Sequence, residues 1–258
     1  DEYAVMFLQG GATAQFAMVP MNLLATGQTA DYMNSGAWAA KAIHEAQVVG
    51  NVHIVADTSG AAPARLPDAS EMQCMDDAAY LHITSNETIS GVQWKAFPPS
   101  RVPLVADMSS DILSRPLDVG QFGLIYAGAQ KNLGPSGVTL VVIRRDLAER
   151  TPDSVPTFFR YKAHMDAESL YNTPPTFAIY LVCLVTRWLR HEGGLSAIHK
   201  RNQEKADKLY GIIDGSGFYQ GIADPCYRSM MNVTFRLPSS DLEDAFLEAA
   251  RAENLVGL

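Results

Sequence analysis

The chain has 258 residues, of which 47% are hydrophobic and 19% charged, with 28 acidic against 20 basic side chains and a formal net charge of −8. That length can bury a substantial core in one large domain or two unequal ones, and the composition excludes a disordered chain. The acidic balance argues against a nucleic-acid backbone as partner, while a locally basic pocket can still take a small anion.

In chain order, Tyr3–Leu8 reads as a strand running into Gly10-Gly11-Ala12-Thr13, with a helix over residues 14–24 that Pro20 is expected to kink or interrupt. Ala37–Val49 is an amphipathic helix with Trp38 near its start. Short apolar runs at 52–56, 79–84 and 102–106 read as strands, as do 124–127 and 138–143. A helix over 177–190 follows Asn172-Thr173-Pro174-Pro175, with Thr173 as N-cap, Pro174 in the first helical position and Cys183 in the core. Gly193-Gly194 breaks the pattern, and a polar helix over 196–213, a strand over 230–235 and a helix over 241–252 complete it. The alternation predicts an α/β fold with a mainly parallel sheet, divided near Gly193 into residues 1–192 and 193–258.

No apolar run reaches a bilayer-spanning length and no signal peptide opens the chain, so a membrane is not expected as partner. Cys74, Cys183 and Cys226 are far apart and form neither CxxC nor a zinc pattern, which points to a reduced, cytoplasmic setting and no metal. The sequence starts on Asp1-Glu2 and enters a strand at once, so it reads as a piece of something longer.

The most informative stretch is YAGAQKNLGPSGVTLVVIRRD, where Lys131 lies between two apolar runs. A lysine in a turn is ordinarily a solvated charge, and no GxxxxGK[ST] surrounds this one. Its neighbours Gln130 and Asn132 can hydrogen-bond, and a partly desolvated pocket would make its amine a nucleophile able to form a Schiff base with an aldehyde. If that aldehyde is pyridoxal phosphate, the ring nitrogen needs a carboxylate, the phosphate needs backbone N–H groups and the ring needs a flat neighbour. Asp107 in VADMSS, the Gly10–Thr13 turn and Trp38 are candidates, each beside a strand or at a helix start. Ser109 can assist Asp107.

Together, QGGATAQFAMVPMNLL, ADYMNSGAW, NETISG, ADMSSDILSRP, YAGAQKNLGPSGVTLVVIR and YNTPPTFAIY resemble the phosphoserine aminotransferase family of fold-type I, pyridoxal-phosphate-dependent transaminases. The resemblance implies a large domain with a mainly parallel seven-stranded sheet between helices, followed by part of a small C-terminal α+β domain. Lys131 matches the Schiff-base lysine, which also moves the substrate Cα proton. Asp107 matches the partner of the pyridinium nitrogen, Trp38 the residue stacked on the ring, and Thr88 the hydroxyl on the phenolic oxygen. Ala12 and Thr13 match backbone donors to the phosphate, which Gln130 also reaches. Asn172 and Thr173 match residues given to the other subunit's phosphate site, so a homodimer is implied.

The implied reaction is ping-pong amino transfer from glutamate to 3-phosphohydroxypyruvate in serine biosynthesis. Whether 4-phosphohydroxythreonine of vitamin B6 synthesis is a second substrate stays open. The family's histidine–arginine pair and its Lys-Gly-His-Arg and Gly-Gly-x-Arg stretches, which contact substrate, do not occur in this sequence. Two alternatives therefore stand beside the transaminase: another class-V enzyme, such as a cysteine desulfurase or alanine–glyoxylate transaminase, and a non-catalytic, dimerising or cofactor-binding fragment.

Overall fold

Three runs, LHIT, LVAD and LIYAG, are buried along their whole length. A strand needs that continuous burial when both faces of its sheet are covered. In the computed structural model, which describes residues 2–256, they form the centre of a seven-stranded sheet. In chain order the elements begin with β1 (Tyr3–Leu8), α1 (Gly11–Leu23), β2 (Thr29–Asn34), α2 (Ala37–Val49), β3 (Asn51–Asp57) and β4 (Leu81–Thr84). A short hairpin follows, β5 (Asn86–Glu87) and β6 (Val92–Gln93), and then β7 (Leu104–Asp107), β8 (Leu124–Gly128) and β9 (Thr139–Arg144). The helices α3 (Arg145–Ala148), α4 (Tyr161–Asp166), α5 (Thr176–His191) and α6 (Gly194–Ser216) precede a second short pair, β10 (Gln220–Gly221) and β11 (Phe235–Arg236), and α7 (Glu243–Ala252) closes the chain.

The sheet order is β1-β9-β8-β7-β4-β2-β3. All its neighbours pair in parallel except β9, which is antiparallel to both β1 and β8. Alternate residues feed two cores: Tyr32, Val105, Leu124 and Tyr126 face one layer with Phe16 and Tyr80, while Met33, Ala106, Ile125 and Ala127 face the other with Leu133 and Val182. The mainly parallel α/β architecture expected from the alternation is the one observed. Among the described residues, no helix is long and apolar enough to cross a membrane.

Several local expectations are corrected. Strand β2 was not predicted: its Asp31 is fully buried, bonded to His53 Nδ1 at 2.9 Å and to the Met75 amide at 2.8 Å, so a polar residue hides a central strand. Pro20 does not interrupt α1, which continues to Leu23 with the Leu24 amide donating to the Pro20 carbonyl at 3.0 Å. The N-cap of α5 is Pro175, not Thr173, and Pro174 is not helical. A residue that precedes proline is pushed out of the α region, so Pro175 bars Pro174 from the helix. Cys183 is exposed rather than core, because it lies on the outward face of α5 with Tyr180 and Leu184.

The strand expected over 230–235 shrinks to Phe235–Arg236, because side chains take the backbone donors that a ladder would use. Gln93 Oε1 accepts from the Met230 amide at 3.1 Å, and Ser229 Oγ accepts from the Met231 and Asn232 amides at 3.0 Å. The same segment is tied to the β5–β6 hairpin, since Asn86 Nδ2 donates to Asn232 Oδ1 at 2.8 Å and Ser229 Oγ donates to Asn86 Oδ1 at 2.5 Å.

Within the sheet, on β4, lies a buried histidine. His82 stacks on Tyr32 with ring centroids 4.7 Å apart, and its Nε2 lies 2.9 Å from the Tyr126 hydroxyl. Burial pushes its pKa from 6.5 down to about 3. As pH falls below 6.5 the unfolded chain takes up a proton that the native chain refuses until about pH 3, so stability drops across that window. The full loss is roughly 5 kcal/mol, at about 1.4 kcal/mol per unit. His82→Phe should flatten this slope in denaturant titrations between pH 6.5 and 4, at a fixed cost of about 1–3 kcal/mol for the orphaned tyrosine hydroxyl.

Candidate active site

Ligands of open α/β sheets bind beyond the carboxyl ends of the parallel strands, and that edge gathers most of the predicted residues. After β1, Gly10 caps α1 in the left-handed region (φ 93°), where an added Cβ would also come within 2.5 Å of Ala14 Cβ. The chain thereby turns sharply enough for the amides of Ala12 and Thr13 to fall in the first turn of α1, where helix N–H groups have no partner along the helix. Gln130 packs its side chain against Gly128, whose other close neighbour is the Ala12 amide. Thr13 and Trp38 share the wall of a cavity of about 360 Å³ with Lys41 and His44.

After β7, Asp107 is only 6% exposed. Ser109 donates to its Oδ1 twice, from the amide at 2.9 Å and the hydroxyl at 2.6 Å. Oδ2 is left with no donor among the described residues. The Ser109 hydroxyl also accepts from the Gly128 amide at 3.0 Å, which ties β7 to β8 just ahead of the lysine. Burial raises the Asp107 pKa, while the Ser109 bonds and the charge of Lys131 pull it back in part.

Lys131 stands on the connection from β8 to β9, with its Nζ 4.6 Å from the centroid of the Trp38 indole. Asn132 steadies that turn by donating to the Ile112 carbonyl at 2.6 Å. The partly desolvated pocket expected for the lysine is not observed: Lys131 is exposed, with the Trp38 ring beside its amine. Trp38 is itself oriented by Nε1 donating to Thr88 Oγ1 at 2.9 Å.

Sequence reasoning missed the residue that holds this pair. Glu87, 1% exposed, accepts from the Trp38 amide at 3.1 Å, the Ala39 amide at 2.9 Å and the Ser35 hydroxyl at 3.3 Å. It caps α2, and Gly36 is needed there because a Cβ would come within 2.8 Å of the Glu87 carboxyl carbon. A carboxylate suits a helix N-terminus, yet burial still raises its pKa above the ordinary range, and its three donors reverse that only in part. The motif NETISG contained the signal, an acidic residue directly before the assigned threonine. Glu87→Gln should cost about 1–3 kcal/mol despite its near-identical shape, because the amide nitrogen would face a backbone N–H. Thermal unfolding of the variant and of wild type at pH 7 checks it.

Asn172 and Thr173 stand apart from this group. The Thr173 carbonyl accepts from Gln9 Nε2 at 3.0 Å and from Asn172 Nδ2 at 3.4 Å, and neither side chain bonds to Lys131, Asp107 or Trp38.

The donors gathered at this edge fit a flat aldehyde that carries a phosphate. They offer a free amine, an indole face, a buried carboxylate oxygen without a partner, and unpartnered helix N–H groups.

Comparison with known proteins agrees. The family Aminotransferase class-V matches residues 1–253. The chain is 54% identical to a phosphoserine aminotransferase of Niallia circulans over 258 residues, covering 99% of this chain and 71% of that protein. The solved phosphoserine aminotransferase of Bacillus circulans subsp. alkalophilus superposes with a TM-score of 0.97 at 53% identity, covering 100% of this chain and 72% of that one. A pyridoxal-phosphate-bound phosphoserine aminotransferase from Trichomonas vaginalis gives a TM-score of 0.95 at 34% identity over 100% of this chain and 74% of its own. With such likeness running from end to end, the chain belongs to the phosphoserine aminotransferase family of the class-V, pyridoxal-phosphate-dependent aminotransferases.

Proposed function

We propose that the protein transfers the amino group of glutamate to 3-phosphohydroxypyruvate, releasing 2-oxoglutarate and O-phospho-L-serine, as a step of L-serine biosynthesis. The observation that carries this reading is the placement of Lys131 over the Trp38 ring, with Asp107 at the end of the adjacent strand β7. Pyridoxal phosphate, when bound, supplies a protonated ring that withdraws electrons from the substrate Cα.

In this reading Lys131 would hold the cofactor through Nζ, and its amine would take and return the proton at the substrate Cα. Asp107 holds a proton at the ring nitrogen through its free Oδ2: a carboxylate penalised by burial gains most from a cationic neighbour. Trp38 covers the ring face, and Thr88 reaches the phenolic oxygen while fixing the indole. The Ala12 and Thr13 amides and the Gln130 side chain hold the phosphate.

Asn172 and Thr173 serve the partner's phosphate site in a homodimer. Support comes from α5, which starts three residues after Thr173 and exposes Phe177 (73%), Tyr180 (55%) and Trp188 (49%) along one face. An apolar stripe of that kind marks an interaction surface. Residues 1–192 act as the cofactor-binding domain and 193–258 as part of the small domain, with Gly193 in the left-handed region at the boundary. Three free cysteines suit a cytoplasmic setting.

The test is to add pyridoxal phosphate, reduce with borohydride and map the modified peptide, then assay phosphoserine formation. A phosphopyridoxyl group on Lys131 together with activity supports the reading. Label without activity would mean a cofactor-binding fragment, and label scattered over surface lysines would overturn the site.

A further inference from the structure

Away from the cofactor-holding edge, between α6 and the loops that follow β6 and β7, lies a cavity of about 640 Å³. Lys95, Arg115 and Arg228 line it together with His199 of α6. Among the described residues neither Lys95 nor Arg115 has a carboxylate within ion-pair distance. Backbone oxygens fix both of them instead. Arg115 Nη1 donates to the Lys95 carbonyl at 2.9 Å and Nη2 to the Trp94 carbonyl, with the guanidinium 5.4 Å from the Phe97 ring centroid. Lys95 Nζ donates to the Arg228 carbonyl.

Two partly buried cations held near each other repel, and the charge of Asp111 offsets this only in part. Burial and the Arg115 charge accordingly pull the Lys95 pKa down, and burial does the same to Arg115. The acids nearby are already engaged. Asp214 makes two bonds to Arg228, at 2.7 and 2.8 Å, Asp207 accepts from Gln203 Nε2 at 2.6 Å, and Asp111 accepts from Ser85 and, at 2.9 Å, from Gln93. Two buried, donor-capable atoms of lining residues, His199 Nδ1 and Arg228 Nε, have no partner. Arg228 is further held with its guanidinium 4.5 Å from the Tyr210 ring.

We propose that this cavity binds a tetrahedral oxyanion of the inorganic-phosphate class, with Lys95 and Arg115 as its main cationic ligands and Arg228 and His199 completing the lining. Preset cations with no carboxylate in direct contact make charge-assisted bonds to such an ion at little ordering cost. Because its lining residues come from either side of Gly193, the bound ion fastens α6 to the preceding part of the chain.

The test titrates inorganic phosphate against chloride at constant ionic strength and follows the melting temperature of the cofactor-loaded protein. A saturable rise is expected in wild type and in Lys200→Gln, a charge loss on the outer face of α6. Lys95→Gln should weaken half-saturation about tenfold or more, which is ~1.4 kcal/mol, and Lys95→Arg should restore most of it. Arg115→Gln should act like Lys95→Gln, and if that variant fails to fold the Lys95 pair decides. No saturable rise in wild type, or an unchanged midpoint in Lys95→Gln, overturns the site, since phosphate would then act elsewhere.

Discussion

Lys131→Ala is expected to lose the borohydride-trapped label completely and to lower amino transfer by about 10⁴-fold or more. A positioned base alone contributes about 10²–10⁴-fold, and in the proposed reading this residue is also the nucleophile that holds the cofactor. The fold should not suffer. Lys131 is exposed on the β8–β9 connection, and the turn is kept by backbone bonds of its own, from the Leu133 and Gly134 amides to the Ala129 carbonyl at 3.2 and 2.8 Å. Melting temperatures of variant and wild type without cofactor should agree within about a degree, since exposed substitutions usually stay within ±0.5 kcal/mol. A large drop in stability would mean that Lys131 is structural, and retained activity would move the chemistry to another amine.

Asp107→Asn should separate activity from stability in opposite directions. The asparagine can keep the Ser109 bonds on Oδ1 but carries no charge for the ring nitrogen. Loss of one aligned electrostatic partner at a reacting group costs about 10²–10³-fold in kcat. Without cofactor the variant should be at least as stable as wild type. The sign follows from the burial that raises the Asp107 pKa above its unfolded value of 3.8. Between those two values the native chain binds more protons than the unfolded one, so stability falls as pH rises through the window and stays lower above it. Asparagine removes that fall. Urea midpoints at pH 4 and pH 7 read it directly: wild type should lose more stability than the variant on going to pH 7. A variant less stable than wild type at pH 7 would show that the carboxylate is held by interactions other than those seen.

What was legible in the sequence follows a physical division. The central strands LVAD and LIYAG could be read because their burial is continuous and apolar, and Lys131 stood out because it follows directly on such a run. Strand β2 could not, since Asp31 becomes tolerable there only when His53 and the Met75 amide arrive from other parts of the chain. The strand expected at 230–235 failed for the converse reason: its residues have strand character, but Gln93 and Ser229 intercept their backbone donors. Glu87 looked like an ordinary turn acid until α2 was placed on top of it. The exposure of Cys183 depends on which face of α5 meets the sheet, and the apolar but exposed Tyr180, Leu184 and Trp188 on its own side disguise that face. Most of the residues proposed to hold the cofactor therefore stand in motifs, while Glu87, which fixes Trp38 from below, was visible only in three dimensions.

The bonds from Asn86 to Ser229 and Asn232 carry a mechanical consequence. Thr88 lies two residues beyond Asn86, and Thr88 sets the tilt of the Trp38 indole. A rigid-body displacement of segment 229–232 must either break those bonds or drag the hairpin with it, and with the hairpin the Thr88 hydroxyl and the Glu87 carboxylate that hold Trp38. The β5–β6 hairpin is thus the link that ties the C-terminal part of the chain to the indole.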